Sequence, residues 1–167
     1  MKKVLSIVAI AAVMLFAGKA SAQISLHAGY QSYTMSANGY SASDDGFYLG
    51  GSYDLPAGSF YVTPGLYFAY VEDIMDLRVP ILFNYRTKVD QIGLGAFVGP
   101  TITFGLAGDG YDSNYGMDRF DLGISFGGQV SYEKYSLELG YTIGLLERIS
   151  GSDIKTSHFF VGLGYAL

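Results

Sequence analysis

Five charged residues and two histidines have the types and positions for chemistry inside a narrow space: Arg78, Arg86, Arg119, Asp121 and Glu138, with His27 and His158. Read with a period of two, all seven fall on the small, polar face of their segments. Strand direction sends Arg86 and Glu138 toward one rim and Arg78, Arg119 and Asp121 toward the other. Two charge clusters are therefore expected. Such clusters make a selectivity ring or a proton path if the space between them is open. They make a plug if it is filled, because buried charges must be paired. The bore of an eight-stranded barrel is only wide enough for side chains to fill it, so the plug is the expectation. Tyr48, Tyr61 and Tyr67 would add bulk to it.

Two other groupings carry weaker chemistry. Asp109, Asp112, Asn114 and Asp118 share one stretch with Gly108, Gly110 and Gly116. Closely spaced oxygen ligands on a Gly-rich loop can hold Ca²⁺. The spacing departs from the EF-hand pattern, with Gly116 one place early and no closing Glu. A solvated acidic loop without a resident metal is expected, able to bridge to lipopolysaccharide phosphates through divalent ions. Ser157-His158, with Asp153 nearby, has the residue types of a lipid-directed hydrolase or acyltransferase. Gly151-Ser152 carries no esterase signature, and the alternation turns His158 toward the polar face. A non-enzymatic protein with no cofactor is expected.

The elements that must position these residues are strands. From Phe47 the apolar positions run Phe47, Leu49, Tyr53, Leu55. After the turn cluster at 56–59 they run Phe60, Val62, Leu66, Phe68, Tyr70. Leu77 to Tyr85, Ile92 to Phe104, Phe120 to Tyr132, Leu137 to Leu145 and Phe159 to Leu167 repeat the pattern, and Ile24 to Tyr30 opens it. Successive side chains of a strand point to opposite faces. The chain thus reads as eight strands of about ten residues, the length that crosses a bilayer at a tilt. The uncharged stretch 91–108 is no membrane helix, since its glycines and Pro100 are the worst helix formers.

Charge decides which face is out. No charged residue occupies an apolar-face position in the middle of any segment, and the other face is mostly Gly, Ser and Thr. A soluble, lipocalin-like barrel would carry charge on its exterior. Here the apolar face suits lipid and the small face suits a lumen. Three connections are short, within 55–59, 87–90 and 133–135. They alternate with longer ones expected at 35–46, 106–118 and 147–156 and a shorter one at 72–76. Outer-membrane barrels have short periplasmic turns and longer outer loops. With the short turns down, Tyr53, Phe60, Tyr85, Tyr132 and Tyr165 fall near the lower rim. Phe47, Tyr70, Phe104, Phe120 and Phe159 fall near the upper. Aromatic rings sit well at the lipid–water boundary, so these form two expected girdles.

The first 22 residues read as a removable export signal: Met1-Lys2-Lys3, an uncharged apolar run from Val4 to Ala17, and the small residues Ala20-Ser21-Ala22. The run is too short for a helical span, which needs about 20 residues. The remaining domain, 23–167, has 7 basic against 15 acidic residues once Lys2, Lys3 and Lys19 are removed from the total of 10. That balance excludes a nucleic-acid binder, which needs a basic surface. The absence of cysteine removes disulfides, thiolate metal sites and Cys nucleophiles. The expected fold is all-β, an eight-stranded antiparallel up-and-down transmembrane β-barrel. Its expected place is the bacterial outer membrane with both termini in the periplasm.

Leu77-Arg78-Val79-Pro80-Ile81-Leu82-Phe83-Asn84-Tyr85-Arg86 resembles a strand common in the PorT-like family of outer-membrane β-barrel proteins of Bacteroidetes. The Gly-rich strand 93–105 and the alternating apolar end Leu163, Tyr165, Leu167 are similar to that family too. The resemblance covers nearly all of the chain after the signal. It implies a small barrel inserted by the barrel assembly machinery among outer-membrane lipid and lipopolysaccharide. It also implies an accessory role beside an envelope protein partner, as in protein secretion. It supplies no catalytic residues.

Overall fold

The computed structural model describes residues 23–37, 40–108, 111, 117–147 and 154–167. The segment 1–22, expected to be an export signal, lies outside these. Eight strands follow one another: β1 (Gln23–Ala37), β2 (Tyr40–Ala57), β3 (Phe60–Val71), β4 (Ile74–Val89), β5 (Ile92–Ala107), β6 (Phe120–Tyr132), β7 (Tyr135–Gly144) and β8 (Lys155–Ala166). Each pairs antiparallel with the next, and β1 pairs with β8, closing the barrel. Every backbone ladder therefore has a partner on both sides through the belt of the barrel. That closure lets strands cross hydrocarbon, where an unpaired amide costs several kcal/mol.

The register keeps one parity outward all the way round. Ile24 faces Tyr53, Phe47 faces Tyr70, Phe60 faces Tyr85, Phe104 faces Phe120, and Leu137 faces Leu163 across successive pairs. The outer surface is consequently a continuous apolar belt, with Leu26, Phe68, Val98, Ile124 and Leu139 all exposed. An apolar surface of that extent is far larger than a soluble monomer exposes.

Among the described residues four connections are two-residue turns, at 58–59, 72–73, 90–91 and 133–134. The first residue of each takes positive φ: Gly58, Glu72, Asp90 and Glu133. Hairpins favour such turns because their twist matches that of the strands. Within the expected loop at 35–46, residues 35–37 and 40–46 are instead strand. β1 and β2 stay paired from Gln23↔Asp54 to Ala37↔Tyr40. β2 pairs with β3 only from Gly46 downward, while β1 keeps β8 as far as Ser36↔Lys155. The top of β2, from Tyr40 to Asp45, therefore has a ladder on one edge and none on the other. Above the apolar belt the outward face of this hairpin is polar, with Ser32, Thr34, Ser43 and Asp45, while the inward face mixes Tyr33, Met35 and Ala42 with Asp44, so the outward apolar alternation ends there although the backbone pairing continues.

Glycines on the inner face make room for the rings that fill the bore. A Cβ at Gly162 would collide with the Tyr48 hydroxyl, and one at Gly140 with the Phe160 ring. Gly140→Val is expected to destabilise the folded barrel by about 1–3 kcal/mol, the usual effect of overpacking. Denaturant unfolding in detergent checks this, and an unchanged midpoint would show that the bore has slack.

Candidate functional site

The inner face carries three tiers of polar side chains. The lowest is built on β2, β3 and β4. Arg86 binds Asp54 bidentately, the second bond being 3.1 Å, and its guanidinium lies 5.1 Å from the Tyr61 ring centroid. Thr63 donates to Asp54 at 2.6 Å, and the Asn84 amide donates to Thr63 at 2.8 Å. Asn84 is essentially buried. Burial is tolerated because each of these groups meets a partner.

The middle tier crosses the bore. Tyr48 on β2 donates to the Glu138 carboxylate on β7 at 2.6 Å. His27 Nδ1 stands 3.2 Å from the other Glu138 oxygen, and its Nε2 is 2.9 Å from Ser52 Oγ. Tyr48 packs edge-on against Tyr67 and Phe160, and Phe160 stacks on Phe97. Thr101, Ser125 and Thr142 form a chain of hydroxyl contacts beside them. This strap closes the lumen with side chains from opposite walls.

The upper tier joins Arg78 to Gln31 and, at 3.8 Å, to Asp76. Thr156 donates to Asp121 at 2.8 Å, and His158 stacks on Tyr33. Tyr111, from the segment after β5, reaches down as a cap. Its hydroxyl donates to Asp76 at 2.6 Å, and its ring covers Gly105. The space left between the upper and middle tiers is a cavity of about 60 Å³, bordered by Tyr48, Arg78, Phe97, Glu138 and His158. It is large enough for a few waters.

Several expected residues stand where the alternation put them. Arg78, Arg86, Asp121 and Glu138 point inward, as do His27 and His158. Their grouping differs from two simple clusters. Arg86 is held by Asp54, while Glu138 belongs to the central strap. Arg119 is a correction. It precedes β6, is exposed, and donates to the carbonyl of Leu106 at 2.9 Å, with its guanidinium 5.4 Å from the Tyr111 ring centroid. One residue outside the strand, its side chain is at the mouth and not in the lumen.

Tyr53 is a second correction. It keeps the outward parity beside Ile24 but is only 4% exposed, so neighbouring protein covers it and it offers no ring to a lipid boundary. Phe60, Tyr85, Tyr132, Tyr165, Phe47, Tyr70, Phe120 and Phe159 are exposed on the outer face, and Phe104 is half covered. Several form cross-strand pairs, with centroids 5.5 Å apart for Phe47–Tyr70 and 5.6 Å for Phe60–Tyr85. Tyr30, placed on the apolar face by the alternation but left out of the girdles, and Tyr135, expected in a short connection, are also exposed on this face.

The two weaker groupings separate. Asp109, Asp112 and Asn114 lie outside the described residues, and Asp118 is exposed. Among the described residues no three His, Asp or Glu side chains gather in a metal-holding group. Ser157 and His158, adjacent on β8, face opposite ways. Ser157 Oγ accepts from Tyr141 at 2.8 Å on the outer surface, while His158 is buried inside. They form no dyad, and Asp153 lies outside the described residues.

The sequence reading missed Asp54, Gln31 and Tyr111 as partners of the lumen charges. Asp54 was readable, since it sits on the inward parity at the height of Arg86. Nothing local in the sequence marks Tyr111.

No protein-family profile matches the chain. A comparison with curated proteins also finds no match. Among solved structures, the barrel is similar to Neisserial surface protein A (NspA), with a TM-score of 0.53 and 15% identity over 87% of this chain and 99% of that one. It is similar also to the outer membrane enzyme PagL, with a TM-score of 0.60 and 14% identity over 82% of this chain and 98% of that one. At these identities the likeness establishes the shared eight-stranded barrel and leaves activity open.

Proposed function

We propose that the protein is a small integral protein of the bacterial outer membrane, with periplasmic termini. Its role is non-enzymatic: structural, adhesive or accessory. The observation that carries this is the closed lumen, where Tyr48 and Glu138 bridge opposite walls and Tyr111 caps the upper mouth. A sealed, internally bonded barrel offers its surfaces for function and not its bore. The β1–β2 hairpin that rises beyond β3 is the feature best suited to meet another molecule, since β2 from Tyr40 to Asp45 has one unpaired edge. The lipid-facing belt supports lipid and lipopolysaccharide as neighbours, and insertion by the barrel assembly machinery follows from the barrel class.

Reconstitution into planar bilayers tests the reading. The folded protein is expected to give no unit conductance. Reproducible ion-selective steps would replace this reading with a narrow channel. The resemblance of the 77–86 strand to PorT-like proteins favours a second reading, a subunit of a secretion or envelope assembly machine. That reading requires partners at fixed stoichiometry after mild extraction from the native membrane.

A further inference from the structure

The bore is filled unevenly. Above the Tyr48–Glu138 strap, rings and paired charges leave only the small cavity. Below it, the inward positions on the far wall are small: Gly93, Ser131, Ser136 and Ala166. The result is a vestibule of about 440 Å³, open at the end where β1 begins and β8 ends. Its size falls within the range of small-molecule sites, about 300–1,000 Å³.

The walls of this vestibule differ in chemistry. Toward β2–β4 stand Asp54, Arg86 and Tyr61, fixed by the bidentate ion pair and by the guanidinium against the ring. Toward β6 and β7 stand the Gln129 carboxamide and the hydroxyls of Ser131 and Ser136, all partly open to the space. The charges of Asp54 and Arg86 satisfy each other, so the interior does not demand a charged ligand. Lys88, Glu133 and Lys134 stand at the rim and mix both signs.

Such a lining selects by hydrogen bonding. The Gln129 carboxamide is a planar group that bonds two neighbouring hydroxyls at once, and the serine hydroxyls beside it both donate and accept. Deep in the vestibule there is no apolar pocket for a peptide side chain or an acyl chain. We propose that the vestibule binds the end of a neutral saccharide, presented from the side of the membrane on which the termini lie. The inference rests on the sealed-lumen reading in one respect: the vestibule is a dead end and not the mouth of a channel.

The test is a solution titration of the isotope-labelled folded barrel in detergent micelles, followed through its backbone amides. The probes are maltose, trehalose and N,N′-diacetylchitobiose. At least one is expected to give saturable shifts at Gly93, Gln129, Ser131 and Ser136, with Thr101 and Thr142 above the strap unmoved. Gln129→Ala is expected to weaken that binding about tenfold, the effect of losing one or two hydrogen bonds. Ser131→Ala, which removes only the hydroxyl, provides a second variant should the first fail to fold, with a weakening of similar size expected. The proposal is overturned if all three sugars leave these amides unmoved. It is overturned equally if a Gly-Ser-Gly-Ser peptide moves them more than the sugars do, or if both folded variants bind like the parent. Silent bilayers with no sugar response would sink this proposal alone, whereas conductance steps would sink the sealed-lumen reading.

Discussion

Leu139→Arg destabilises the folded barrel by about 2–4 kcal/mol, and Thr87→Arg by about 0–1 kcal/mol. Both residues point outward. Leu139 lies midway along β7, beside Gly128 and Val161, with the apolar belt on either side. Thr87 lies near the lower end of β4, opposite Leu94. In lipid, an arginine at the midplane must reach an interface or drag water inward, and the penalty fades toward the rim. In water, an exposed Leu139 replaced by Arg would cost almost nothing, and the variant would gain solubility. Reversible urea unfolding in phospholipid vesicles measures both. Equal effects at the two positions would mean that the outer surface meets something other than hydrocarbon.

Breaking the lowest ion pair has an effect of comparable size. Arg86→Ala is expected to cost about 3–5 kcal/mol, because it leaves the Asp54 carboxylate without its cation and with the Thr63 hydroxyl as donor. The side chain of Asp54 is 7% exposed, so water entering from the vestibule replaces the guanidinium only in part. Arg86→Met combined with Asp54→Asn removes both charges at nearly constant volume and is expected to recover most of the loss. The same unfolding assay reads both variants. A double variant no more stable than Arg86→Ala would show that the pair acts through packing and not through charge compensation.

The strand segments were legible because the lipid belt imposes a strict period of two wherever a side chain must choose between hydrocarbon and lumen. The closed register confirms that parity from Ile24 to Tyr165. Legibility ended where that choice ends. Above the belt, Ser41, Ser43 and Asp45 alternate with Ala42 and Asp44, and neither face is apolar, so the continued strand read as a loop. Parity also cannot say whether an outward ring is covered, which is why Tyr53 misled. Arg119 misled because the strand begins one residue later, at Phe120, and a single step moves a side chain from lumen to mouth. The central strap joins residues 90 positions apart, a pairing that follows from closure and leaves no trace in local sequence.

The seam between β1 and β8 has a kinetic meaning. Seven of the eight ladders join strands that are neighbours in the chain, and each can zip up from its own connection. The eighth brings Ser25 against Ala166, nearly the two ends of the domain. Contacts of such sequence separation form late and slow folding. Until they form, the free edges of β1 and β8 expose amides that hydrocarbon cannot satisfy. A partly built sheet is therefore unstable at the very depth where the finished barrel belongs, so insertion and closure have to advance together. β8 is thus the strand that completes β1.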